Sequence, residues 1–178
     1  SSLVALKGAH LVCQKQALGP LPTASANHSF PCSTMTTLTR SEVRVLDLFA
    51  GTGAIGLEAL SRGAHSATAV ESHPDAIKVI NANKSVTNLP LEIVRADVQK
   101  WVTQPVGAKF DLVFLDPPYD FPSGELQAIV DHVIQHCVAE GAIVLVERSS
   151  RSKAITAPPE WESSERKFGD TTVQKLVW

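Results

Sequence analysis

From Val43 to Val177, short apolar runs alternate with segments of helical spacing, and this alternation constrains the fold more than any other feature of the chain. A short continuous apolar run is the pattern of a strand buried on both faces. A longer segment with apolar residues three and four apart is that of a helix packed over it. Repetition of the pair points to a mostly parallel sheet covered by helices. The spacing predicts strands at about Val43 to Phe49, Ser66 to Glu71, Leu91 to Arg95, Phe110 to Leu115 and Ala142 to Glu147. Helices are expected from about Ala54 to Ser61, Pro74 to Val86, Val98 to Thr103 and Ser123 to Val138, with Gly63 as a helix stop and Pro74 as a first-turn residue. Two last strands, around Ser164 to Phe168 and Thr172 to Val177, flank Gly169-Asp170 and should pair as an antiparallel hairpin on the sheet edge. Five β-α units closed by such a hairpin make an α/β fold, a doubly wound sheet of seven strands.

Before this region the sequence has another character. Residues 1–42 sustain neither period, and Gly19 to Thr39 is a scatter of Pro, Ser, Thr, Ala and Asn, so an irregular arm is expected ahead of a folded domain at residues 43–178. A chain of 178 residues, 44% hydrophobic and 19% charged, has room for one full-sized core and lacks the signature of disorder. Cys13, Cys32 and Cys137 are odd in number and widely spaced, which argues against a disulfide framework and a zinc site. No apolar run reaches the roughly 18 residues that span a bilayer. A monomer in the reducing cytoplasm, with no metal and no membrane, is the expectation. The 16 basic and 18 acidic residues leave a formal charge of -2, which counts mildly against a nucleic-acid partner, because phosphate binding normally leaves an excess of Lys and Arg.

In open α/β sheets, ligands sit at the carboxyl ends of the strands. Four such ends carry unusual residues. Asp47-Leu48-Phe49-Ala50-Gly51-Thr52-Gly53 closes the first strand, where glycines let a ligand approach the backbone. Glu71 closes the second, where a carboxylate can accept both hydroxyls of a ribose. Asp97 follows the third, placed to accept a hydrogen bond from an adenine amine. Asp116-Pro117-Pro118-Tyr119 follows the fourth. Two prolines make a rigid turn whose amides cannot donate, leaving acceptors beside an aromatic ring, a combination suited to an amine on a flat heterocycle. Gly51-x-Gly53-x-x-Gly56 with Glu71 twenty residues on also satisfies the dinucleotide fingerprint, which keeps an NAD-dependent oxidoreductase open. Asp47 tips the balance: it would face a pyrophosphate unfavourably, but suits the ammonium of a methionyl group.

Together these motifs resemble S-adenosylmethionine-dependent amino-methyltransferases. The run Val45 to Ala64, Val70-Glu71-Ser72 and Phe168-Gly169-Asp170-Thr171 resemble more narrowly the RsmD-type enzymes, which methylate a guanine N2 in 16S ribosomal RNA. The resemblance implies a Rossmann-like methyltransferase sheet over residues 43–178. It implies Asp47, Phe49, Gly51 and Gly53 around the methionyl part of S-adenosylmethionine, Glu71 on its ribose and Asp97 at its adenine, with S-adenosylhomocysteine as product. Catalysis is implied for Asp116, Pro117, Pro118 and Tyr119, which would hold a base of ribosomal RNA or of a small-subunit assembly particle. An adenine-N6 methyltransferase on DNA or RNA uses a similar Pro-Pro-aromatic loop and is the first rival. A fold that binds cofactor but is catalytically impaired by an abnormal arm is another.

That arm lacks the basic segment of the family, close to G-T-R-P-T-x-D-R-V-R-E-x-L-F. Read in a shifted frame, codons for Gln16 to Cys32 permit G-T-R-P-T-S-D-R-V-R-E-P-L-F-S-V-L, so residues 1–42 are expected to include an out-of-frame translation of that arm. The encoding DNA decides it: codons that cannot spell the segment in the alternative frame refute the expectation. Elsewhere the plainer readings are taken. His132 and His136 share a helix face without the Glu of a zinc protease, Trp101, Trp161 and Trp178 read as packing residues, and Arg148-Ser-Ser-Arg151-Ser-Lys153 reads as a solvated loop.

Overall fold

The computed structural model describes residues 42–105 and 107–178. The expectations for the arm, with Cys13 and Cys32, fall outside these residues apart from Glu42. Strands β1 (Arg44–Leu48), β2 (Ser66–Glu71), β3 (Glu92–Arg95), β4 (Phe110–Leu115), β5 (Val138–Ser149), β6 (Glu162–Phe168) and β7 (Thr171–Val177) form one sheet in the order β3-β2-β1-β4-β5-β7-β6. The first five strands are parallel, and β7 runs antiparallel to both β5 and β6. Helices α1 (Ala54–Ser61), α2 (Pro74–Thr87), α3 (Val98–Val102) and α4 (Ser123–His132) connect them.

Because side chains alternate across a strand, each apolar run feeds two cores. Val45, Leu112, Phe114 and Leu145 pack with Ile55, Leu60 and Ile80 of α1 and α2 on one face. On the other face Leu46, Leu48, Val113 and Val144 pack with Val98 of α3 and Ile129 of α4. The helix ends carry their signals. Gly63 (φ 94) donates to the Leu60 carbonyl and Ala64 to that of Ala59, the paired bonds that close α1. The His73 side chain accepts the Asp75 amide ahead of α2, with Pro74 in its first turn.

Two expectations need correction. The helix begun at Ser123 does not reach Val138: it ends at His132, passes into a five-residue π-helical turn, Val133–Cys137, and gives way to β5 at Val138 instead of Ala142. Phe110 opposes Val138 while Leu112 opposes Ile143, so extra β5 residues around Glu140 and Gly141 (φ 77) are bulged out of register, hiding the strand's start behind a polar break. There are also four β-α units, not five, because no helix joins β5 to β6 among the described residues. That connection is held instead by Gln174 of β7, whose buried amide accepts from the Ile155 N–H and donates to the Ile155 carbonyl.

Candidate functional site

The chain leaves β1 through a turn held by backbone geometry. Phe49 (φ 62), Gly51 (φ 53) and Gly53 (φ 70) all lie in the left-handed region, which for an aromatic residue is strained. Phe49 is kept there with its ring edge against Phe121, centroids 5.2 Å apart, while the Ala50 amide donates to the Val70 carbonyl and Gly53 to that of Ala50. A Cβ on Gly53 would sit 2.9 Å from Ile80 Cγ2. Gly53→Ala is therefore expected to destabilise by about 2 kcal/mol, seen as a lower urea midpoint with an unchanged slope. At Gly51 a Cβ would meet only the Phe49 carbonyl oxygen, at 3.9 Å, so this is where the turn leaves open space.

Acidic groups surround that space. Glu71 Oε2 accepts the Gly51 N–H and its Oε1 accepts those of Ser72 and His73, each at 2.8 Å, so the carboxylate is locked in place with lone pairs to spare. The Thr52 hydroxyl is buried without a hydrogen-bond partner. Asp47 is 2% exposed; its Oδ2 accepts the Gly56 N–H at 3.3 Å. Burial pushes its carboxyl well above the usual range, and the Asp116 and Glu71 carboxylates push the same way against that one hydrogen bond. Asp97 stands beside Glu71, because the Ala96 amide donates to the Glu71 carbonyl, and it is exposed with Oδ1 capping α3 through the Lys100 N–H.

The turn after β4 meets this one. The Asp116 amide points at the Leu48 carbonyl, 3.4 Å away, joining the two strand ends. Pro117 is buried, the Pro118 carbonyl accepts the Phe121 N–H, and Tyr119 presents a 65% exposed ring whose hydroxyl lies 3.1 Å from Thr171 Oγ1 at the start of β7. Thus the expected residues form one group, with Asp97 at its edge.

Three comparisons bear on this arrangement. Residues 30–177 match the model of a family described as conserved hypothetical protein 95. The chain belongs to that family. It is 34% identical over 120 residues to ribosomal RNA small subunit methyltransferase D of Buchnera aphidicola (subspecies Baizongia pistaciae), a match covering 65% of this chain and 59% of that protein. The chain thus spans about six-tenths of that relative's length. A solved Escherichia coli structure described as a candidate methyltransferase superposes with a TM-score of 0.74 at 26% identity, covering 82% of this chain and 80% of that one. A candidate SAM-dependent methyltransferase from Streptococcus mutans, 14% identical, shares the fold alone, with a TM-score of 0.68 over 82% of this chain and 48% of that one.

For this member of the conserved hypothetical protein 95 family, the structure adds a site residue that the sequence reading passed over. Glu147 follows Val146, the last β5 residue paired with β4, and so stands next to Asp116. It is 5% exposed, and burial together with the Asp116 carboxylate pushes its pKa up to about 8. A signal was present. Ile143, Leu145 and Glu147 share a face of a strand otherwise apolar on that side, and a carboxyl in register with buried residues is a functional candidate. Because the folded value lies above the ordinary 4.5, the folded state holds its proton where the unfolded chain has lost it, and stability falls as pH rises from 4.5 through about 8. Glu147→Gln is expected to melt higher than the parent, by about 5 °C at pH 8 and with no advantage below pH 4, in melts across that range.

The remaining residues divide. Arg148 corrects the expected solvated loop: β5 continues to Ser149, paired with Thr171, so Arg148 is buried in the sheet, bonded to Glu165 of β6 and to the Ser152 carbonyl. Arg151 and Lys153 are exposed. Trp161 is buried and Trp101 half-buried against the core, as packing residues are, whereas Trp178, stacked on Trp161 with centroids 5.9 Å apart, is 47% exposed. The His132 and His136 rings lie 5.5 Å apart, Cys137 is buried with its thiol pushed up by burial, and no cluster of metal-ligating side chains occurs among the described residues. No described helix is long and apolar enough to cross a membrane.

Proposed function

We propose that this chain transfers a methyl group from S-adenosylmethionine to the exocyclic N2 amine of a guanine in small-subunit ribosomal RNA, in the cytoplasm and as a monomer. One observation carries the reading: the glycine turn of β1 and the Asp-Pro-Pro-Tyr turn of β4 adjoin, so a cofactor at the first lies beside an amine at the second. The cofactor fits the residues present. Open space over Gly51, an unpartnered Thr52 hydroxyl and a buried Asp47 carboxyl short of a cation are what a bound methionyl group would use. Glu71 would take the ribose hydroxyls and Asp97 the adenine amine. S-adenosylmethionine supplies an activated methyl on a sulfonium, and S-adenosylhomocysteine remains.

The protein's task is then to present the amine. Its lone pair is delocalised into the purine and is a poor nucleophile until the nitrogen pyramidalises. Asp116 and the Pro117 carbonyl, accepting its two hydrogens, favour that geometry, and Tyr119 stacks on a base turned out of its helix. Residues 43–178 hold 13 basic against 17 acidic residues, a poor surface for RNA, and the arginines of the alternative frame would supply the missing charge.

The test is nucleoside analysis after incubation with labelled S-adenosylmethionine and unmodified small-subunit RNA, free or in assembled particles. Labelled N2-methylguanosine is expected, whereas N6-methyladenosine alone overturns the reading. Should the unaltered chain not bind RNA, a chain with the in-frame arm restored is expected to bind it, and failure of that chain too removes ribosomal RNA as the substrate.

A further inference from the structure

The site contains a buried carboxyl that the proposed reaction does not use. Phe114 of β4 pairs with Leu145 of β5, and both point into the core under α1 and α2. Two residues further along each strand, Asp116 and Glu147 continue the same face, and Asp47, paired with Phe114, continues it on β1. Three carboxyls therefore line one face across three adjacent strand ends. Asp47 has the Gly56 amide, and Glu147, beside Asp116, is 5% exposed.

The surroundings of Glu147 offer no ready counter-charge. Its partner on β7 is Val173, and Arg148 lies on the opposite face with Glu165. On its own face, Lys175 stands one pair further along β7 and Arg166 lies beyond Val173 on β6. Asp116 is the charged group that acts on it, and it acts by repulsion. A buried acid beside a second carboxylate costs stability, and this one stands beside the turn that would hold the target amine, with Thr171 and Tyr119 close by on the β7 side.

Resting on the guanine reading above, we infer that Glu147 is a specificity-determining residue that accepts the ring N1–H of the target guanine while the adjacent Asp116 holds its N2 amine. Two neighbouring donors on one base edge match two neighbouring carboxyl acceptors. Adenine presents one donor, N6–H, beside an N1 lone pair, and a carboxylate facing that lone pair is repelled. An amide in the same place can donate to it, as glutamine does when it reads adenine. Guanine binding favours the ionised form of Glu147, so the base is bound more tightly as pH rises through about 8, where half of Glu147 in the free protein has lost its proton.

The experiment measures KM and kcat for unmodified small-subunit RNA between pH 6 and 9 in the parent chain, Glu147→Gln and Glu147→Asp, with nucleoside analysis of each product. The parent should show KM falling about tenfold from pH 6.5 to 8. Glu147→Gln should lose that dependence, raise KM by about 30-fold at pH 8 with kcat less affected, and release detectable N6-methyladenosine. Glu147→Asp, which keeps a carboxyl, should retain the pH dependence. Unaltered KM, pH profile and product in Glu147→Gln overturn the inference and leave the guanine reading standing. A parent chain that labels a base other than guanine overturns the guanine reading itself.

Discussion

On the proposed reaction, Asp116→Ala is expected to lower kcat for methyl transfer by about 1000-fold without weakening cofactor binding. The size follows from the loss of an acceptor aimed at the position where the amine must pyramidalise, since removal of one preorganised group of this kind costs about 100- to 1000-fold. The sparing of the cofactor follows from the charges. The Asp116 carboxylate pushes the Asp47 carboxyl up, so its removal makes Asp47 easier to ionise and a better partner for the methionyl ammonium. Single-turnover assays with labelled S-adenosylmethionine, set beside calorimetric binding of S-adenosylhomocysteine, separate the two effects. A variant that weakens cofactor binding as much as it slows transfer would mean that Asp116 supports the glycine turn instead of the amine.

The second large effect belongs to Asp47. Asp47→Ala is expected to raise the Kd for S-adenosylmethionine by about 100-fold, because the cofactor's ammonium is then left in a buried site without its counter-charge. The pH dependence is the sharper check. Burial holds the Asp47 carboxyl well above the usual carboxylate range in the free protein. An ammonium beside it favours the carboxylate, so binding expels a proton, and the Kd falls as pH rises through the raised Asp47 pKa. Calorimetry of the parent chain in two buffers of different ionisation enthalpy should register that proton, and Asp47→Ala should release less. Equal proton release by both proteins would place the ammonium elsewhere.

Much of this site is legible in the chain because strand ends are legible. Asp47 and Glu71 lie at the ends of apolar runs that are strands in any register and Asp116 follows one, and parallel sheets gather the ends of their strands on one edge. The glycines at positions 51 and 53 mark a turn because its left-handed backbone strains most other residues, and Phe49 adopts it with Phe121 packed against its ring. What escaped was long-range. The fifth strand starts at Val138 because it pairs with β4 through a bulge, and Arg148 is buried because β5 extends to meet Thr171. Neither pairing leaves a local mark. Glu147 left one mark, its register with Ile143 and Leu145, but as the last residue of an apolar run it looks like a solvated strand end until β4, β5 and β7 are set side by side.

By itself the sequence determined the α/β class, the antiparallel close of the sheet, the two turns and the family resemblance, all of which rest on periodicity and on residues few positions apart. Only the tertiary structure decided that the β1 and β4 turns adjoin, that Asp47 and Glu147 are buried, and that Glu147 and Asp116 form a pair. Burial and charge repulsion depend on neighbours brought together across the sheet, 31 residues apart along the chain in the case of Asp116 and Glu147. Those neighbours change acids that are ordinary in sequence into groups that hold a proton more tightly.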